Sequence, residues 1–239
     1  MTDRYESTWD EPDAAGVPGT DEPPPRPNFF SRLWMVFAKP GELFEALAAN
    51  PAWFPVAAFS GLVIGVSMAV LPAEAFYETA TANMQPEQVS EMRDVPSALI
   101  KWPWVGAVML LGPVIPVFLS LVSYVIFVFM RGDRATFKQH LCVMAHTGII
   151  TAVGSLLVAP IRIATLNVQE SLALGDLTPF LDGYVYNVLN LLDLFALWAT
   201  VMAGLGLSVI DPRRRWAPTA AVLLLIFLVL VMVGALFTP

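Results

Sequence analysis

The sequence holds one cysteine, Cys142, and two histidines, His140 and His146. A lone thiol closes no intrachain disulfide and cannot supply a Cys-x-x-Cys zinc site, so neither device holds this chain together. No Gly-x-Ser-x-Gly, His-Glu-x-x-His, glycine-rich phosphate loop or pair of aspartates within apolar segments occurs. That absence removes the support for a serine nucleophile elbow, a zinc protease, a nucleotide-phosphate cradle and an intramembrane aspartyl protease. No enzyme activity and no cofactor are expected. Charge is scarce too: 14% of the 239 residues are charged and 56% are hydrophobic. A soluble domain of this length cannot hide several unbroken apolar runs of roughly twenty residues, so the chain falls in the membrane class.

The first apolar run begins only past residue 50, so the first span rather than a cleaved leader is expected to direct insertion. Ahead of it, residues 1–28 carry seven acids against two bases, with six prolines. Such a stretch buries too little apolar surface to offset its ordering entropy and is expected to be a disordered acidic, proline-rich cytoplasmic tail, with Tyr5 and Trp9 as possible docking points. Over residues 29–50, Phe30, Leu33, Trp34 and Phe37, then Leu43, Phe44 and Leu47, recur at three- and four-residue spacing. This pattern predicts amphipathic helices broken near Pro40, either lying in the interface with Arg32 and Lys39 meeting lipid head groups or capping the bundle from the cytoplasmic side. Trp34, Phe37 and Phe44 are the candidate interface residues of this segment.

Residues 51–239 read as an all-α domain of five transmembrane helices, at about 53–72, 104–130, 140–161, 184–209 and 216–237. Each run is long enough to cross a hydrocarbon core of ~30 Å at ~1.5 Å per residue. With the N-terminus in the cytoplasm, ten of the thirteen bases lie inside, including Arg131, Arg134, Lys138 and the cluster Arg213, Arg214 and Arg215. The opposite side keeps Arg93, Lys101 and Arg162 beside eight acids. This asymmetry predicts a multi-pass cell-membrane protein with a cytoplasmic N-terminus and its C-terminus across the bilayer. Glu74 to Thr81 and Glu87 to Arg93 are expected to form short helices in the outer loop, on either side of Pro86.

Asp193 lies deep in the fourth apolar run, where an unpaired acid costs roughly 2.5 kcal/mol or more. Asn187 and Asn190 precede it at three-residue spacing, so one continuous helix would carry a polar stripe. Counting ~1.5 Å per residue from Ser208 puts Asp193 ~22 Å deep, level with Ser67, Ser155 and Pro116. The expectation is a carboxyl hydrogen-bonded to those hydroxyls or to backbone opened by Pro116. His146 comes out nearer the cytoplasm as a hydrogen-bonded packing residue, and His140 at a solvated boundary. Gly61 and Gly65 in the first span, with Ala145, Gly148 and Ala152 in the third, supply small-residue faces for close helix approach.

Several pieces of the sequence carry a resemblance: Trp34, Pro40, Glu42, Phe44 and Leu47; Pro51, Trp53 and Pro55; Thr136, Phe137 and Lys138; then Asp193, Phe195, Trp198, Gly204, Gly206 and Leu207. In their order and spacing over residues 30–210 the chain resembles the bacterial branch of the Yip family, the Ypt-interacting membrane proteins. The resemblance implies a five-helix membrane domain with a cytoplasmic N-terminus. Eukaryotic relatives are associated with Rab-type GTPases and vesicle traffic, while the bacterial branch brings no defined activity. The expected partners are the lipid bilayer and proteins at the cytoplasmic face; a homo-oligomer is open, and nucleic acid is not expected. The leading expectation is a non-enzymatic organiser of the membrane, with a small carrier or channel using Asp193 as the alternative.

Overall fold

The computed structural model describes residues 25–238, so most of the expected acidic tail, Tyr5 and Trp9 included, lies outside the described residues. Two short helices open the fold, α1 (Phe29–Ala38) and α2 (Pro40–Ala49). Asn28 caps α1 by accepting from the Ser31 amide at 2.9 Å, and Pro40 stands at the first position of α2, where its missing N–H costs nothing. There follow α3 (Phe54–Ala69), α4 (Ala73–Thr81), α5 (Pro86–Met92), α6 (Ser97–Leu111) and α7 (Val114–Tyr124), the last running into a π-helical turn over Val125–Met130. Helix α8 (Phe137–Thr165) is the longest, and α9 (Gly183–Leu191), α10 (Leu194–Val209) and α11 (Trp216–Gly234) complete the chain. No strand occurs among the described residues; Ala173 and Asp193 form an isolated antiparallel bridge.

By length and composition, α8 and α11 are each able to cross a membrane, and the number rises to four if two bent pairs each count as one span. The first pair is α3 with α4, turned by 91°, and the second α6 with α7, turned by 42° at Gly112 and Pro113. Pro113 cannot donate to the ladder, which accounts for the second bend. The predicted run 184–209 is divided into α9 and α10 at Leu192 and Asp193, and α10 alone is a shorter apolar helix. The outer-loop helices of the sequence reading are α4 and α5.

Helix α8 is the axis, packed by α3, α7, α10 and the α1–α2 pair. Its start is set by a capping box: Thr136 Oγ1 accepts from the Gln139 amide while Gln139 Oε1 accepts from the Thr136 amide. Gln139 also donates to the Ala48 carbonyl at 2.8 Å, which ties the end of α2 to α8. One core joins α1, α2, α8, α10 and α11 around Leu43, Phe44, Leu47, Cys142, Ile150 and Leu207. A second, around Leu71, Phe76, Val105 and Val168, lies where α4 folds back on α6. Helices α3 and α6 approach so closely at Gly61 and Gly112 that a Cβ on Gly112 would lie 2.3 Å from the Gly61 Cα. Gly148, expected to be a packing residue, has open space over its Cα.

Candidate functional site

Two buried polar layers interrupt the apolar packing. The first is built at the helix break. Asp193 leaves helical geometry (φ −69°, ψ 133°), and its Oδ1 accepts from the Ala196 amide at 2.8 Å, so it is the N-cap of α10. Aspartate is among the best residues for this, and the dipole of α10 favours its negative charge. The backbone opened by the break is satisfied from a distant loop: Leu174 N donates to Leu192 O at 3.1 Å, and Leu194 N donates to Leu172 O at 2.9 Å. The expected continuous helix therefore gives way to two helices held by a strand-like contact.

Beside Asp193 lies a cavity of about 160 Å³ lined also by Thr151, Ser155, Arg162 and Ser171. Arg162, placed in an outer loop by the sequence reading, is a buried residue of the last turn of α8. Its Nε donates to the Glu170 carbonyl at 2.8 Å and its Nη1 to Ser155 Oγ at 2.9 Å. Since Ser67 Oγ donates to the Ile64 carbonyl at 2.7 Å, the 2.7 Å contact between the two hydroxyls has Ser155 as donor. A one-way relay results, from Arg162 through Ser155 and Ser67 to the α3 backbone. Arg162 and Asp193 make no direct ion pair, so a cation and a carboxylate oxygen border one small polar space.

Of the expected companions of Asp193, Ser155 shares this cavity and Ser67 is reached through it. Pro116 is not there: it lines an apolar groove elsewhere, and its carbonyl accepts from Ser120 Oγ. Asn190 is exposed on α9, where Gly175 packs against its backbone, and Asn187 donates to the Thr238 carbonyl at 3.2 Å. The predicted polar stripe fails because the break at Leu192 and Asp193 rotates α9 out of register with α10. His146 sits within α8, donating from Nδ1 to the Cys142 carbonyl at 2.7 Å, far from Asp193.

The second layer lies where the α7–α8 and α10–α11 connections meet. Arg214, expected to be exposed, is buried and pairs through Nε with Asp133. Its Nη1 donates to the Leu207 carbonyl at 2.9 Å, and its guanidinium lies 4.7 Å from the Phe127 ring centroid. His140, expected to be solvated, is fully buried. Arginine can only donate, so the 3.4 Å contact from Arg214 Nη2 makes His140 Nε2 an acceptor, and Nδ1–H donates to Ser123 Oγ at 2.9 Å. Asp211 accepts from the Arg134 and Arg213 amides at 2.8 and 3.0 Å. Burial pushes the pKa of Asp211 up, but those amides and the Arg214 and Arg213 charges outweigh it and leave the carboxyl below its ordinary value.

Arg213 and Arg215 remain exposed, as expected. On α1, Arg32, expected at the lipid head groups, is buried, donating to the Ala52 carbonyl at 3.0 Å, whereas Phe30 and Trp34 point outward. The Ala52 carbonyl lies in residues 51–53 between α2 and α3, outside any helix, and pairing it draws the guanidinium in. Phe44, expected at the interface, is fully buried against Gly206, and Phe37 is half-buried, edge-on to Trp198 at 5.5 Å. The buried cations Arg32, Arg162 and Arg214 are what the sequence reading missed. Their one sequence signal is position: Arg162 and Arg214 lie within a few residues of an apolar run, and Arg32 lies within the amphipathic segment ahead of the first one.

Among proteins of known sequence, the model of the Yip1 domain matches residues 34–236. The chain is 25% identical over 180 residues to a Bacillus subtilis (strain 168) protein, membrane protein YknW, covering 73% of this chain and 76% of that one. No solved structure matches. The matched region begins at Trp34 on α1 and takes in both polar layers and the Asp193 break, and on that extent the chain belongs to the Yip1 domain family of membrane proteins.

Proposed function

We propose that this protein is a five-span membrane protein with a cytoplasmic N-terminus, which acts without catalysis as an organiser, holding other proteins at the cytoplasmic face. The observation that carries this reading is the seating of α2 in the core. Leu43, Phe44 and Leu47 are at most 1% exposed, and this fills the arginine-rich end of the bundle with dry side chains. The same seating leaves Phe30 and Trp34, 76% and 70% exposed, turned outward on α1. Exposed aromatics on a short helix ahead of α3 suit a partner lying at the membrane surface. A photo-crosslinking residue in place of Trp34, activated in native membranes, should capture a small set of proteins reproducibly. Capture of lipid alone would overturn the reading.

A small carrier is the second reading, favoured by the polar cavity that Asp193 and Arg162 share at a broken helix. Asparagine caps helices as well as aspartate does, so Asp193→Asn removes the charge and keeps the fold. Solute flux in proteoliposomes that disappears in this variant would establish the carrier in place of the organiser.

A further inference from the structure

Helix α7 packs on α8 but not appreciably on α10 or α11, and the gap is an apolar groove of about 290 Å³. Phe118 and Leu119 form one wall, Leu223 and Phe227 the other, and Thr147 and Gly148 of α8 the floor. The groove offers no free hydroxyl donor to an occupant, because its hydroxyls donate back to their own helices. Thr147 donates to Val143 or Met144, Thr151 to Gly148, Thr200 to Ala196, Ser123 to Ser120 and Ser60 to Val56. An acceptor on a polar solute would go unpaired there, whereas a hydrocarbon chain loses nothing.

The groove ends at Ser123, which bonds to His140 and through it to Arg214 at the cationic rim. Arg131 lies eight positions beyond Ser123, at most ~12 Å along the chain's helical path. The acids of this rim are already committed: Asp133 pairs with Arg214, and Asp211 caps two backbone amides. Arg131 and Arg213 are exposed and have no carboxylate within ion-pair distance among the described residues. Arg213 reaches the segment that carries Arg131, since its Nη1 donates to the carbonyl of the neighbouring Gly132 at 3.4 Å, and the Arg131 guanidinium lies over Phe127. Two exposed arginines without a carboxylate partner thus stand beyond the end of an apolar slot.

We propose that the groove holds one acyl chain of an anionic phospholipid whose phosphate is seated on Arg131 and Arg213. The assignment rests on the reading that places this rim at a membrane surface, but its test does not. The purified full chain in non-ionic detergent is titrated with phosphatidylglycerol, phosphatidylcholine or inorganic phosphate, and native mass spectrometry counts what is retained. One phosphatidylglycerol should be held roughly tenfold or more tighter than phosphatidylcholine, whose choline cation offsets the phosphate charge and is repelled by the arginines. Arg131→Gln with Arg213→Gln should abolish the preference while weak retention of both lipids persists. Gly148→Leu, which fills open space, should release both lipids with the melting temperature unchanged. Equal retention of the two lipids, retention insensitive to Gly148→Leu, or inorganic phosphate displacing phosphatidylglycerol would overturn the proposal. So would a second copy of the chain occupying the groove, seen as a dimer that Gly148→Leu dissociates. Binding in micelles is indifferent to which leaflet the rim faces, so failure here leaves the topology standing, and inverted topology would show only in labelling from the two sides of the bilayer.

Discussion

An aspartate within an apolar segment is costly when its charge has no partner, and Asp193 meets that cost with a backbone amide at the start of α10. As a cap it is replaceable by asparagine but not by alanine. Asp193→Ala should lower stability by about 1 kcal/mol and Asp193→Asn by much less, read as thermal unfolding in detergent. Arg214 is a stricter case, because its removal leaves the Asp133 carboxylate among apolar side chains. Arg214→Ala should cost about 3–5 kcal/mol, and replacing both partners by apolar residues of similar size should recover most of it. Asp211 adds a dependence on pH. Its folded pKa lies below the ordinary carboxyl value, so its stabilising effect is present above that value and is lost as pH falls through the folded one. The stability gap between the parent protein and Asp211→Asn should therefore be full at neutral pH and close progressively in acid.

Among the elements, α3 and α6 depend on bare backbone. Their crossing at Gly61 and Gly112 leaves no room for a methyl group between two main chains, and neither chain can rotate away as a side chain could. Gly112→Ala should cost about 1–3 kcal/mol through forced separation of the two helices, measurable as a lower unfolding temperature. Helix α2 depends on the opposite feature, an aromatic ring with no free volume around it. Phe44→Ala would open a cavity against Gly206 and Val143, and a loss of about 3–5 kcal/mol is expected on the same assay. Its amphipathic pattern was legible in the sequence because Leu43, Phe44 and Leu47 recur at helical spacing. That α2 turns this face into a protein core and not into lipid was not legible, since both environments select the same side chains.

On the scale of the whole molecule, the α7–α8 and α10–α11 connections are joined by Asp133 with Arg214 and by Asp211 with the Arg134 amide, so their exposed cations share one end of the bundle. The proposed five-span topology puts that end in the cytoplasm. In a Cys142→Ser background, Glu87→Cys should react with an impermeant maleimide in intact cells, and Arg213→Cys only after permeabilisation. The reverse pattern would invert the protein. The membrane class, the helical periods, the short helices α4 and α5 and the tight faces at Gly61 and Gly65 were all readable along the chain, because hydropathy, periodicity and residue size are local sums. Which polar groups meet was not. Asp193 faces Arg162 rather than Pro116 because the loop at 172–174 supplies the hydrogen bonds that let the helix open, and Arg32, Arg162 and Arg214 turn inward because unpaired carbonyls or a carboxylate wait for them there. A buried charge takes its position from partners brought near by the packing of other helices, and that adjacency is absent from the order of residues.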